Sequence, residues 1–97
     1  MYLVFYDISN NKIRTKVAAR LIEEGYERIQ LSVFIGTWNP SKNGDLWEEL
    51  NTRIEEDPDA KLYVLAVSEN SFKNMMTIGK CDYDIAYLTG NKHSFFI

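Results

Sequence analysis

The spacing of apolar residues switches along this chain between two and about 3.6, and that switching restricts the fold more than any other feature. Residues 2–9, YLVFYDIS, are an apolar run rich in aromatic and branched side chains, of a length that suits a buried strand. SNNK reads as a turn, in which Asn10 or Asn11 can cap the next helix. Residues 12–25 place Ile13, Val17, Ala18, Leu21 and Ile22 on one helical stripe, and Gly25 fits a helix stop. Residues 27–37, ERIQLSVFIGT, return to strand chemistry. Ile29, Leu31, Val33 and Ile35 alternate there with Arg28, Gln30, Ser32 and Phe34. Phe34 is an aromatic where the alternation wants a polar residue. The segment is either one long bent strand or a tight hairpin. TWNPSKNG is a loop. Residues 44–57 form a second amphipathic helix, with Leu46, Trp47, Leu50 and Ile54 inward, and Asp57-Pro58-Asp59 ends it. Residues 60–68 are a strand. Residues 68–79 read as a short helical turn leading into a strand, residues 83–88 as a further strand, and HSFFI as a strand-like tail.

This order predicts an α+β sandwich, with helices on one face of a sheet. If residues 27–37 supply two strands, the order is βαββαβ, a ferredoxin-like core with an extra C-terminal strand. One domain spans residues 1–97, since a chain of 97 residues has no room for a second core. Such a chain buries only about two-thirds of its unfolded surface. The second, apolar face of the sheet therefore predicts a homodimer.

One cysteine, Cys81, excludes an internal disulfide and cysteine-based zinc sites, and one histidine, His93, excludes histidine-rich ones. No apolar run approaches the roughly 20 residues that a membrane helix needs, and no signal peptide is visible, so a cytoplasmic protein without membrane association is expected. The formal charge of −3 argues against a generic nucleic-acid binder. Yet residues 1–42 hold six basic and four acidic groups, against five and ten in residues 43–97, so the first part can present a local positive patch. The plainer reading is ordinary solvated charge.

Asp7 is the leading candidate for chemistry. An ionised carboxylate in an apolar strand needs a partner, a metal or solvent at a strand end. The plainer role is to cap the turn. No second carboxylate is near in sequence, but Mg²⁺ keeps several waters and needs only one or two, and Asp7 of a second copy can supply the other. Arg14, Lys16 and Arg28 can pair with phosphate oxygens, Arg14 and Lys16 from the first helical turn. Phe34 can stack on a base or pack in an interface. A triad drawn from Ser94 or Ser32 with His93 and Asp7 has no support in spacing. No glycine-rich phosphate loop is present.

The stretch YDISNNKIRTKVAARLIEEGYERIQLSVFIG resembles the N-terminal half of the second CRISPR-associated protein family, small nucleases of the spacer-adaptation stage. Tyr6-Asp7, Arg14 and RIQLSVF carry the likeness, and residues 68–79 resemble the family's late segment. The resemblance implies a ferredoxin-like homodimer whose two Asp7 carboxylates face each other and hold Mg²⁺, with Mn²⁺ as a substitute. It implies metal-dependent endonuclease activity on single-stranded RNA or double-stranded DNA, and a dimer that bridges copies of the CRISPR-associated integrase on new spacer DNA. By position it assigns Tyr6 and Asp7 to catalysis and Arg14, Lys16, Arg28 and Phe34 to nucleic acid; in the metal-assisted hydrolysis that this suggests, Ser32 is the expected group to orient water. Lys16 stands where many members have arginine, which keeps the charge but not the bidentate fork. The tail, about residues 80–97, would pair with the partner chain. The competing readings are a non-catalytic DNA-binding scaffold, a ribonuclease toxin of the virulence-associated D type, and a metabolite-binding regulatory domain.

Overall fold

A computed structural model describes residues 1–80. The strand expected at 83–88, the tail HSFFI, Cys81 and His93 lie outside the described residues. Residues 1–66 form one compact unit, and those from Val67 belong to a second. The first unit holds β1 (Tyr2–Asp7), α1 (Asn11–Glu23), β2 (Glu27–Gln30), β3 (Val33–Gly36), α2 (Gly44–Glu55) and β4 (Lys61–Ala66), with a single 3-10 turn at Pro40–Lys42. In the second unit α3 (Glu69–Lys73) is capped by Ser68, whose side chain accepts from the Ser71 N–H. Residues 74–80 form no strand, so the strand expected after the helical turn is absent there.

Residues 27–37 are a hairpin, and the βαββαβ order holds over Tyr2–Ala66. The sheet order is β2-β3-β1-β4, with every pairing antiparallel. β1 is thus flanked on both sides, and its pleat sets both faces. Val4 pairs with Phe34 and Val64, while Phe5 pairs with Val33 and Tyr63. Val4, Tyr6 and Phe34 point into the core with Ile13, Val17, Ala18 and Leu21 of α1 and Leu46 and Leu50 of α2. Leu62, Val64, Trp47 and Ile54 pack at its margin. The other face carries Phe5 stacked on Tyr63, with ring centroids 5.1 Å apart.

The expected alternation through residues 29–35 does not survive. The turn at Leu31 and Ser32 resets the register, so Phe34 is fully buried and Leu31 is 77% exposed. Ile22 is also corrected: it lies 51% exposed, because the stripe that faces the sheet is narrower than the sequence pattern. Asn10 caps α1 by accepting from the Ile13 N–H. Asn43 caps α2 by accepting from the Leu46 N–H. Gly25, at φ 94, ends α1 in the left-handed region that glycine tolerates.

The two helices are tied by charge. Arg20 reaches Glu24 at 3.0 Å on its own helix and Glu49 of α2 at 3.0 Å. Asn43 donates to Glu24 at 2.8 Å, and Arg20 with Asn43 holds that carboxyl below its ordinary range.

Tyr26 leaves no room at Gly36: a Cβ there would lie 2.5 Å from the tyrosine ring, whereas one at Gly44 would meet nothing within 4 Å. Gly36→Ala is expected to cost about 1–3 kcal/mol, as overpacking does. Gly44→Ala should stay within about 0.5 kcal/mol. Denaturant titration of both variants measures the difference. Burial, followed by the nearby Glu24 and Tyr2 charges, pushes the Tyr26 hydroxyl up to about 12 from its ordinary 10.0. The unfolded chain therefore releases this proton first. Stability from this group is full below pH 10 and falls as pH rises through about 12. Tyr26→Phe should lose stability less steeply than wild type across that window in the same titrations.

Candidate functional site

The strand period places Tyr6 and Asp7 on opposite faces of the sheet. Tyr6 is 6% exposed on the helix side. Asp7 is exposed at the end of β1, on the face that carries Phe5 and Tyr63. Its carboxylate makes no hydrogen bond or ion pair among the described residues. Lys61, its register partner on β4, is also exposed and forms no ion pair with it. Sequence reasoning missed Lys61, because residues 54 positions apart come together only through the β1–β4 register.

On the helix side the Leu31 carbonyl gathers three donors. The Tyr6 hydroxyl reaches it at 3.3 Å. Arg28 donates from Nε at 3.0 Å and from Nη2 at 2.6 Å. The Arg28 guanidinium carbon lies 5.3 Å from the Phe34 ring centroid, and Tyr6 stacks on the same ring at 6.0 Å. The Tyr6 N–H donates to the Ser32 carbonyl at 3.1 Å, which ties β1 to the turn. Burial raises the Tyr6 hydroxyl above its ordinary value, while the charges of Arg28 and Arg14 oppose that rise. Tyr6 therefore stays protonated at neutral pH and acts as a donor.

These contacts bear on three of the expected site residues. Phe34 is fully buried between Tyr6 and Arg28, so the expected base-stacking ring is a core residue. The Tyr6 hydroxyl donates to the Leu31 carbonyl, so Tyr6 supports the hairpin turn. Arg28 spends two donors on the same carbonyl and keeps its remaining N–H groups at an exposed edge.

Arg14 closes the β1–α1 loop. Its Nη1 donates to the carbonyls of Ile8 at 3.0 Å and Ser9 at 3.3 Å, and its Nη2 donates to Asn11 Oδ1. The guanidinium therefore stands in the loop after Asp7. Lys16 is exposed and unpaired among the described residues. The structure thus joins Tyr6, Arg28 and Phe34 around the hairpin turn and leaves Asp7 apart on the other face.

Asp7 fits a hard cation in one respect and not in another. An exposed carboxylate without a protein partner suits Mg²⁺, which binds through one or two carboxylates and keeps its waters. Among the described residues, however, no three His, Cys, Asp or Glu side chains gather. One chain offers one carboxylate, and a second copy would have to supply the next.

The family model described as CRISPR associated protein Cas2 matches residues 1–75. A protein named CRISPR-associated endoribonuclease Cas2 2, from Pyrobaculum aerophilum, is 40% identical over 80 residues, covering 81% of this chain and 87% of that one. The crystal structure of Streptococcus pyogenes Cas2 superposes with a TM-score of 0.66 at 25% identity, over 80% of this chain and 98% of that one. A chain from a partial Cas6-RT-Cas1–Cas2 complex superposes with a TM-score of 0.55 at 26% identity, over 79% of this chain and 88% of that one. With its β1 aspartate, its buried tyrosine and its RIQLSVF hairpin inside the matched span, the chain belongs to the CRISPR associated protein Cas2 family.

Proposed function

We propose that this chain is a metal-dependent endonuclease of CRISPR spacer acquisition, ferredoxin-like in fold and active as a homodimer. The observation that carries the reading is the exposed Asp7 carboxylate, unpaired among the described residues, at the end of the central strand. The name of the Pyrobaculum aerophilum relative, an endoribonuclease, supports hydrolysis of RNA, with double-stranded DNA as the alternative substrate.

A divalent ion such as Mg²⁺, when bound, lowers the pKa of a water and polarises a phosphoryl oxygen. The chain's own residues do the rest. Two Asp7 carboxylates, one from each copy, would hold the cation. Lys16, exposed on α1, attracts the phosphodiester and offsets charge that builds on it. Arg14 fixes the loop after Asp7 through the Ile8 and Ser9 carbonyls. Ser32 sits in the hairpin turn, where its hydroxyl can orient water. Tyr6 and Arg28 hold that turn through the Leu31 carbonyl and so act as positioning residues.

A second reading has one specific support. The complex with Cas1 in the solved neighbour favours a scaffold role, in which the dimer binds the Cas1 integrase and DNA without cutting. Metal-dependent turnover separates the two readings.

Purified protein is expected to cleave labelled single-stranded RNA or double-stranded DNA with Mg²⁺ or Mn²⁺ and to stop with EDTA. Asp7→Ala should lower the rate by at least about 100-fold, the range of a lost group that acts on the reacting atoms. Cleavage by Asp7→Ala at the wild-type rate would falsify the nuclease reading. Tyr6→Phe keeps the buried ring and removes only the hydroxyl. It should cost about 0.5–1.5 kcal/mol of stability and leave the rate within about tenfold of wild type. A Tyr6→Phe rate as low as that of Asp7→Ala would return Tyr6 to the reacting atoms.

A further inference from the structure

At the far end of β1 from Asp7, five residues and about 17 Å along the strand, a cleft of about 470 Å³ opens between the β3–α2 connection and the end of α1. Glu24, Tyr26, Thr37, Trp38 and Lys42 line it. Trp38 is 68% exposed, yet its backbone is pinned. The Tyr26 hydroxyl donates to the Trp38 carbonyl at 2.7 Å. On the other side, Asn39 accepts from the Ser41 N–H at 3.0 Å and from the Ser41 hydroxyl at 2.8 Å, which sets the 3-10 turn. The indole is thus a large apolar surface offered to solvent from a fixed base.

The charges of the lining are uneven. Its one acid, Glu24, is matched by Arg20 at 3.0 Å and by the Asn43 amide at 2.8 Å. Lys42, its one cation, is exposed and pairs with nothing among the described residues. Thr37 adds an exposed hydroxyl. An exposed aromatic face on a pinned backbone, with an unmatched ammonium and a hydroxyl beside it, fits a flat ring that carries an anion. The volume falls within the usual range for small-ligand sites, about 300–1,000 Å³.

We propose that this cleft binds one nucleotide of a single-stranded nucleic acid, with the base stacked on Trp38 and its phosphate at Lys42. Any base can stack on an indole, so the site takes nucleotides without reading sequence. The site is independent of the nuclease reading, because it uses no residue of the Asp7 face.

Titration of ¹⁵N-labelled wild-type protein with adenosine 5′-monophosphate and with a six-nucleotide oligoadenylate tests this. The two indole N–H signals, Trp38 and Trp47, are assigned through Trp38→Phe. Both probes should shift the Trp38 signal saturably and leave Trp47 in place, and the oligonucleotide should do so at concentrations at least tenfold lower. Lys42→Gln should weaken the mononucleotide at least fivefold and leave adenosine unchanged. Asp7→Ala should titrate like wild type, whether or not the protein cleaves nucleic acid. A Trp38 signal that neither probe moves, or that moves together with Trp47, overturns the site. Equal binding of both probes overturns the single-strand assignment in favour of a free nucleotide. Equal binding of the mononucleotide by Lys42→Gln and wild type removes the phosphate from Lys42.

Discussion

The pleat of β1 is the constraint on which the other placements depend. β1 lies between β3 and β4, so the parity of each of its residues is fixed from both sides. Val4 and Tyr6 turn toward the helices, while Phe5 and Asp7 turn away. A shift of one residue would exchange the two sets, burying a carboxylate and exposing a tyrosine ring. The cost of burying an unpaired charge holds the register. The same parity separates the chemistry into two parts: a buried cluster that shapes the hairpin turn, and an exposed carboxylate on the opposite face.

The hairpin turn is the second fixed point. Three donors converge on the Leu31 carbonyl, two of them from one charged guanidinium. Hydrogen bonds from charged donors are stronger than neutral ones. Arg28 also covers the Phe34 ring, so one side chain closes the turn and caps the core. An arginine, a tyrosine and a phenylalanine that the sequence motif groups together are therefore coupled by packing. Their grouping in the motif records a shared structural task as well as any contact with nucleic acid.

Much of this was legible from residue spacing alone. The apolar stripes of α1 and α2, the cap at Asn10 and the stop at Gly25 obey local rules, and local rules see about four residues either way. The hairpin at 27–37 was open because alternation continues through Leu31 and Ser32 without a glycine or proline to mark the turn. The turn is held instead by Tyr6 and Arg28, and Tyr6 lies 25 residues from Leu31. That is why alternation sets Phe34 on the polar side of the strand although it is core. Lys61 opposite Asp7, and the Trp38 cleft, depend on sheet register and on the packing of Tyr26. No local pattern carries either. Asp7 itself was legible, since a carboxylate in an apolar strand stands out in any register.

The proposed function requires that the Asp7 face, rather than another acidic surface, receive the divalent ion. The exposed side of α2 is the comparison surface: Asp45, Glu48 and Glu49 line one groove there, although no three acidic side chains gather into a metal-holding group among the described residues. Paramagnetic broadening of backbone amide signals by Mn²⁺ locates the bound ion. Broadening is expected to centre on Asp7 and Lys61 at low Mn²⁺, to be removed by Mg²⁺ competition and to be absent in Asp7→Ala. Broadening centred on α2, and unchanged in Asp7→Ala, would contradict it.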